Sequence, residues 1–287
     1  MKIKSAIIAL ILTSVLLCSC ANVGEIEDGT ESSTVSTGSD AIITTAKPET
    51  TAPDNPHTPG VDTSVHGGVS SVQRHLTFTE GDVTALGVSL SLPVAEITDN
   101  DEVRDKINEK IESITSEIYE YVESVKTVYI SAIKSGSKPL ETPTLTVGFT
   151  LNYFTEKAMS FTFTFTEING SGDVARSCRY YNFELDSYGA EITLDNLFSD
   201  LSSDNREEVI RLLRDRAAAR TDLYSGYETA LESYAPESWY LSGTKIVFRY
   251  DPYTLAPASV GFVTFEFETS LLSGFMSSYG RDLLGIQ

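Results

Sequence analysis

Histidines, cysteines and paired carboxylates are the side chains in this sequence that could run a reaction. The histidines are His57, His66 and His75. Two fall in a stretch too polar to pack and the third at its end, so none is expected in a metal site or beside a nucleophile. No GxSxG, P-loop, HExxH or dinucleotide fingerprint occurs. Asp99-Asn100-Asp101 begins like a calcium loop, but Val103 and a missing glycine break the pattern. A helix cap suits it better. Glu266 and Glu268 share one strand face, yet among 41 acidic residues such neighbours arise freely. A carboxylate-pair hydrolase therefore stays a minor reading. Cys178, between Arg176 and Arg179, suits a small strand residue better than a nucleophile. No enzyme, metal or cofactor is expected. What the sequence offers for binding is aromatic. Trp239, Tyr240, Tyr250 and Tyr253 lie near expected strands and turns and are the candidate ligand contacts. Aromatic side chains bring contact area at low entropy cost.

The start of the sequence predicts where these residues work. Lys2 and Lys4 precede an apolar run from Ala6 to Leu17, interrupted only by Thr13 and Ser14. That run is shorter than the roughly 20 apolar residues a spanning helix needs. It reads as an export signal over 1–19. Leu17-Cys18-Ser19-Cys20 resembles a bacterial lipobox, with Cys20 as the lipidated residue; an ordinary secretory signal is the alternative. A lipid anchor would attach the protein to a membrane from outside the cytoplasm. Residues 20–73 are rich in Ser, Thr, Pro, Gly and acids and hold no aromatic. They are expected as a disordered tether, because they cannot bury enough apolar surface to offset their ordering entropy. The chain's net charge of −20 excludes nucleic acid and disfavours anionic wall polymers. It suits a cationic partner or simply a soluble surface.

The pattern changes near His75. Leu76 and Phe78, then Val88, Leu90 and Leu92, suggest two strands, with Pro93 at the end or edge of the second. Asp99 with Glu102 suggests a helix start. Val103, Ile107, Ile111, Ile114, Ile118, Val122, Val125 and Tyr129 then repeat at three- and four-residue spacing. They place one apolar stripe along a helix about 45 Å long. Packing on a sheet is favoured over a coiled coil, since the flanking strands need a cover. Ser135-Gly136-Ser137-Lys138-Pro139 stops that helix. Three alternating runs follow: Leu145 to Tyr153, Phe161 to Phe165 with Thr between, and Cys178 to Leu185. Short turns between them imply an antiparallel meander with an apolar face and a Thr-rich face free to be wet. A second, shorter helix from Asp204 to Arg220 turns Val209, Ile210, Leu213 and Ala217 inward. Trp239 to Phe267 reads strand, turn, strand, proline-bounded loop, strand, the last expected to be buried on both faces. The fold class is α+β, antiparallel sheets covered by a long amphipathic helix and a second shorter one. It divides into units at 74–189 and 190–287.

Phe248-Arg249-Tyr250-Asp251-Pro252-Tyr253-Thr254-Leu255-Ala256-Pro257-Ala258-Ser259-Val260-Gly261 resembles the signature of a family of extracytoplasmic bacterial domains. Ile192-Thr193-Leu194-Asp195-Asn196-Leu197-Phe198 and Trp239 fit the same family. It includes the outer domain of RsiV-type anti-sigma factors and the non-catalytic domain of PdaC-type peptidoglycan deacetylases. Ala258 departs from it, standing where an aromatic is common. No deacetylase domain is attached and no spanning helix stands before the lipobox, so the resemblance implies only the sensing or binding half. In RsiV-type members that half is implicated in binding lysozyme, a cationic wall hydrolase, which an acidic domain suits. The expectation is a surface lipoprotein with a non-catalytic domain for a cell-envelope ligand. That ligand is a lysozyme-like cationic protein or a cell-wall glycan.

Overall fold

The chain is organised by one helix lying across one sheet. The computed structural model describes residues 42–44 and 67–286, except 98–99, 187–188, 199–202 and 235–237. The expected leader, Cys20 and most of the expected tether lie outside the described residues. Helix α1 spans Asp101–Lys134. Its buried residues are the eight apolar positions named from spacing, Val103 through Tyr129. The cap is Asn100, one residue after the expected Asp99; its side chain accepts from the Val103 N–H at 3.1 Å. Asp101 and Glu102 in the first turn and Lys134 in the last complement the helix dipole.

The sheet under α1 has six strands in sequence order: β1 (Ile42–Thr44), β2 (Gly67–Glu80), β3 (Val83–Ile97), β4 (Thr144–Phe154), β5 (Ala158–Ile168) and β6 (Val174–Glu184). Two of these reach into the span expected as tether: β1 pairs with His75–Thr77, and β2 opens at Gly67. Against an all-antiparallel expectation, β3 and β4 pair in parallel over Gly87–Leu90 and Thr144–Val147. The cause is α1 itself, a crossover that returns the chain to the same end of the sheet, as a parallel neighbour requires. Leu86, Leu90, Leu145, Val147, Phe161, Phe163 and Phe183 face α1 and form the first core. Tyr129 Oη donates to Glu167 Oε1 at 2.6 Å and pins the last turns of α1 to β5. Burial raises the Glu167 carboxyl above its usual range.

The second unit packs on the opposite face of β4–β6. It contains α2 (Leu194–Phe198), α3 (Ser203–Ala218), α4 (Tyr227–Tyr234), a three-stranded antiparallel sheet of β7 (Trp239–Ser242), β8 (Lys245–Tyr250) and β9 (Val263–Glu268), then α5 (Thr269–Leu272) and α6 (Ser278–Leu283). Alternation along the strands sends Trp239, Leu241, Ile246, Phe248, Tyr250, Val263, Phe265 and Phe267 into a second core with Leu213 and Ala217 of α3. β9 is not buried on both faces: Glu266 and Glu268 are exposed, because their side chains lie on the sheet face turned away from the second core, where Lys245 reaches both. The C-terminal segment folds back on α2. Ser277 donates its N–H to Leu197 O at 2.8 Å, and a side chain at Gly280 would lie 2.5 Å from that same oxygen.

The Thr-rich face of the first sheet is therefore only partly open to water. Near β7 it is buried and polar, with Ser160, Thr162, Asn152 and Asn182 all covered. β7 presents backbone groups to them. Leu241 N–H donates to Ser160 Oγ at 3.2 Å and to Asn182 Oδ1 at 3.4 Å, and Asn182 Nδ2 donates to Trp239 O at 3.3 Å. Asn152 Nδ2 donates to Thr162 Oγ1 at 2.7 Å within the same layer. Buried polar groups stabilise only when paired. Asn182→Ala leaves Trp239 O without its side-chain donor and removes an acceptor from Leu241 N–H. The expected cost is about 1–3 kcal/mol, read by urea denaturation.

Candidate functional site

The loop from Tyr250 to Gly261 follows β8, and three anchors hold it. The first is apolar: Leu255 and Ala256 are buried in the second core. The second is backbone: Tyr224 N–H donates to Leu255 O at 2.8 Å, and Tyr253 N–H donates to Ala256 O at 3.1 Å. The third is electrostatic and reaches the other unit. Asp251 Oδ1 accepts the Cys178 N–H of β6 at 2.9 Å. That N–H points away from β5, out of the sheet edge, so the carboxyl caps a strand that would otherwise lack a partner there. The other end of the β6 edge is closed by backbone, with Ile192 N–H on Asn182 O and Glu184 N–H on Ala190 O.

Around this contact lies a half-buried cluster. Tyr180 of β6 and Tyr240 of β7 stack at 5.5 Å with ring planes 10° apart. The Arg249 guanidinium sits 4.0 Å from the Phe262 ring centroid and offsets part of the Asp251 charge. Desolvation wins over both the Cys178 N–H and Arg249, and pushes the Asp251 carboxyl up to about 7. Burial also raises the Tyr180 hydroxyl and the Cys178 thiol. A thiol held protonated is a poor nucleophile. Among the described residues no group of three or more His, Cys, Asp or Glu is arranged to hold a metal ion.

The four aromatic residues expected at a ligand surface separate here. Trp239, 3% exposed, and Tyr250, 0% exposed, belong to the second core. Tyr240 is half-buried against Tyr180. Only Tyr253 is displayed, at 58% exposure. It is also the sole non-glycine residue with positive φ among the described residues, at 68°. A bulky side chain in that region costs roughly 1–2 kcal/mol, and the loop's anchors hold it there. The residue that sequence reasoning missed is Asp251. Its only signal was a charged residue at the junction of a strand and a proline turn.

Residues 192–270 match the family model described as Protein of unknown function (DUF3298). The matched segment runs from the end of the first sheet through β9, so it contains the whole loop and β7 but not the β4–β6 face on which β7 packs. No curated protein matches the chain at a significant level. A DUF3298 family member from Bacteroides fragilis has a similar fold, with a TM-score of 0.57 at 14% identity, over 79% of this chain and 99% of that one. A DUF3298 family protein from Pseudomonas aeruginosa gives 0.50 at 9% identity, over 75% of this chain and 96% of that one. These likenesses show the fold, and their coverage exceeds the DUF3298 segment, so the shared architecture takes in the first sheet as well.

The Asp251 contact makes a pH prediction. An ordinary Asp carboxyl titrates near 3.8, whereas the folded one titrates near 7. The folded state thus holds this proton more tightly than the unfolded one, and the charged form opposes folding. Stability contributed by this group is present below about pH 4 and is lost as pH rises towards 7. Asp251→Asn keeps an acceptor for Cys178 N–H and has no charge to desolvate. The variant is expected to lose that decline and to melt higher than the parent at pH 8. Identical pH profiles of melting temperature for the two proteins would contradict the assignment.

Proposed function

We propose that this protein is an extracytoplasmic, non-catalytic binding module, held at a bacterial membrane surface by lipidated Cys20, whose ligand is a cationic envelope protein of the lysozyme kind. The observation that carries the reading is Tyr253: a large aromatic held at positive φ, exposed, on a loop fixed at three points. Backbone strain kept at a displayed side chain points to a contact role, since folding alone is served better by glycine at that position. The net charge of −20 supports a cationic partner and predicts fast, salt-sensitive association. The titratable groups near the loop support a binding rather than a catalytic role. Asp251 is spent on Cys178 N–H, and the Cys178 thiol is held protonated.

A wall glycan is the second reading, favoured by the same exposed Tyr253, because a sugar ring stacks on an aromatic face. Two measurements separate the readings: affinity of the full chain for lysozyme across a salt series, and co-sedimentation with purified peptidoglycan. The cationic-protein reading expects lysozyme binding at low salt that weakens steeply as salt rises. No binding at low salt would sink it, and sedimentation with the wall polymer would then favour the glycan. In either case Tyr253→Gly is expected to weaken binding by about tenfold, roughly 1.4 kcal/mol, with a melting temperature equal to or above the parent's. A lower melting temperature with unchanged affinity would make the loop scaffold only.

A further inference from the structure

Strand β1 is out of proportion to the sheet it joins. It has 3 residues, beside a β2 of 14 that is paired with β3 along its whole length, from Gly67 opposite Ile97 to Glu80 opposite Val83. Between residues 21 and 66 it is also the one place where two large aliphatic residues adjoin. Ile42, Ile43 and Thr44 are all β-branched, the residue type a strand favours. The pairing is therefore written into the sequence, and it is small.

The register shows what holds it. Gly87 N–H donates to Pro143 O on the β4 side at 2.9 Å. Val88 therefore turns its N–H and C=O the other way, to Leu76 opposite it on β2. His75 and Thr77 then turn theirs outward, to Thr44 and Ile42. Those two backbone pairs carry the contact, at an edge where His75 and Thr77 are exposed. Against them stands the entropy of closing the chain between Thr44 and His75 into a loop. Pairing so short is marginal in water, so the docked and released forms lie close in free energy. β2 does not share this weakness, because β3 holds it as far as Gly67.

We propose that β1 is a strap. Docked on β2, it takes up the chain between Ile42 and Gly67; a pull from the N-terminal side strips it from His75–Thr77 and releases that chain. Release stops at Gly67, where the pairing with β3 begins. Drawn taut, the released chain spans roughly 85 Å. The setting for such a pull rests on the proposed anchoring at Cys20, since a chain fixed there transmits load to Ile42. The strap then gives the module two reaches, a short one at rest and a long one when its ligand draws it away from the membrane.

The full chain held by its two ends in an optical trap reads the strap directly. Below the force that unfolds the two cores, a reversible lengthening of roughly 50 Å or more is expected. Thr44→Pro removes a backbone N–H that β1 gives to β2. It should abolish the step and leave the chain in its longer form, with the unfolding force of the cores unchanged. Thr51→Pro, outside β1, should leave the step in place. A parent without a low-force step would overturn the strap, as would the same step in Thr44→Pro or its loss in Thr51→Pro. The trap needs no lipid, and fatty-acid labelling of Cys20 tests the anchor separately, so failure of one reading is distinguished from failure of the other.

Discussion

The structure depends on how a strand edge meets a sheet face. β7 brings unpaired backbone groups against the back of β4–β6, and that back is built to receive them. Ser160, Thr162, Asn152 and Asn182 are polar, short and buried. An apolar face there would have left Leu241 N–H and Trp239 O without partners, at about 1–3 kcal/mol each. A wet face would have given no packing at all. The polar layer lets one sheet serve two cores, the α1 side made of Leu, Ile, Val and Phe and the second side centred on β7–β9. Asp251 extends the same logic to the sheet's rim, where its carboxyl answers the Cys178 N–H.

That rim contact ties the loop to the first sheet. The loop bearing Tyr253 is neither a floppy excursion nor part of the core. Leu255 and Ala256 sink it into the second unit, and Asp251 bolts it to the first. A side chain displayed between two anchors loses little entropy on binding, since its position is already fixed. The cost is paid in two local forms, a tyrosine at positive φ and a carboxyl desolvated beside an arginine that only partly compensates it.

Much of this was legible in the residues. The α1 stripe named eight positions and those are its buried set, because a long three-four repeat has one interpretation. The alternating Phe161, Phe163 and Phe165 likewise located the sheet's main apolar face. Alternation says nothing of what covers the other face, so a Thr-rich face is expected free to be wet where Thr162, with Asn182 beside it, is buried at the second interface. The same period-2 rule, applied to Trp239 with Leu241 and to Tyr250 with Phe248, places those aromatics in the core. Reading them as contacts followed residue type over pattern. The parallel pairing of β3 with β4 is set by where a 34-residue helix lands, which no local pattern records. Asp251 was invisible for a related reason, its partner lying 73 residues away on a backbone amide.

The loop's attachment to the first sheet rests on the half-buried Asp251 carboxyl being desolvated against β6, where it accepts the Cys178 N–H. Its titration can be watched directly, by following the carboxyl carbon of Asp251 in the NMR spectrum of the folded chain as pH is raised. The account predicts a midpoint near 7, with the Cys178 amide proton shifting in the same titration. A midpoint near the ordinary 3.8, with the Cys178 amide unmoved, would mean that the loop is not bolted to the first sheet and that Tyr253 is not held for display.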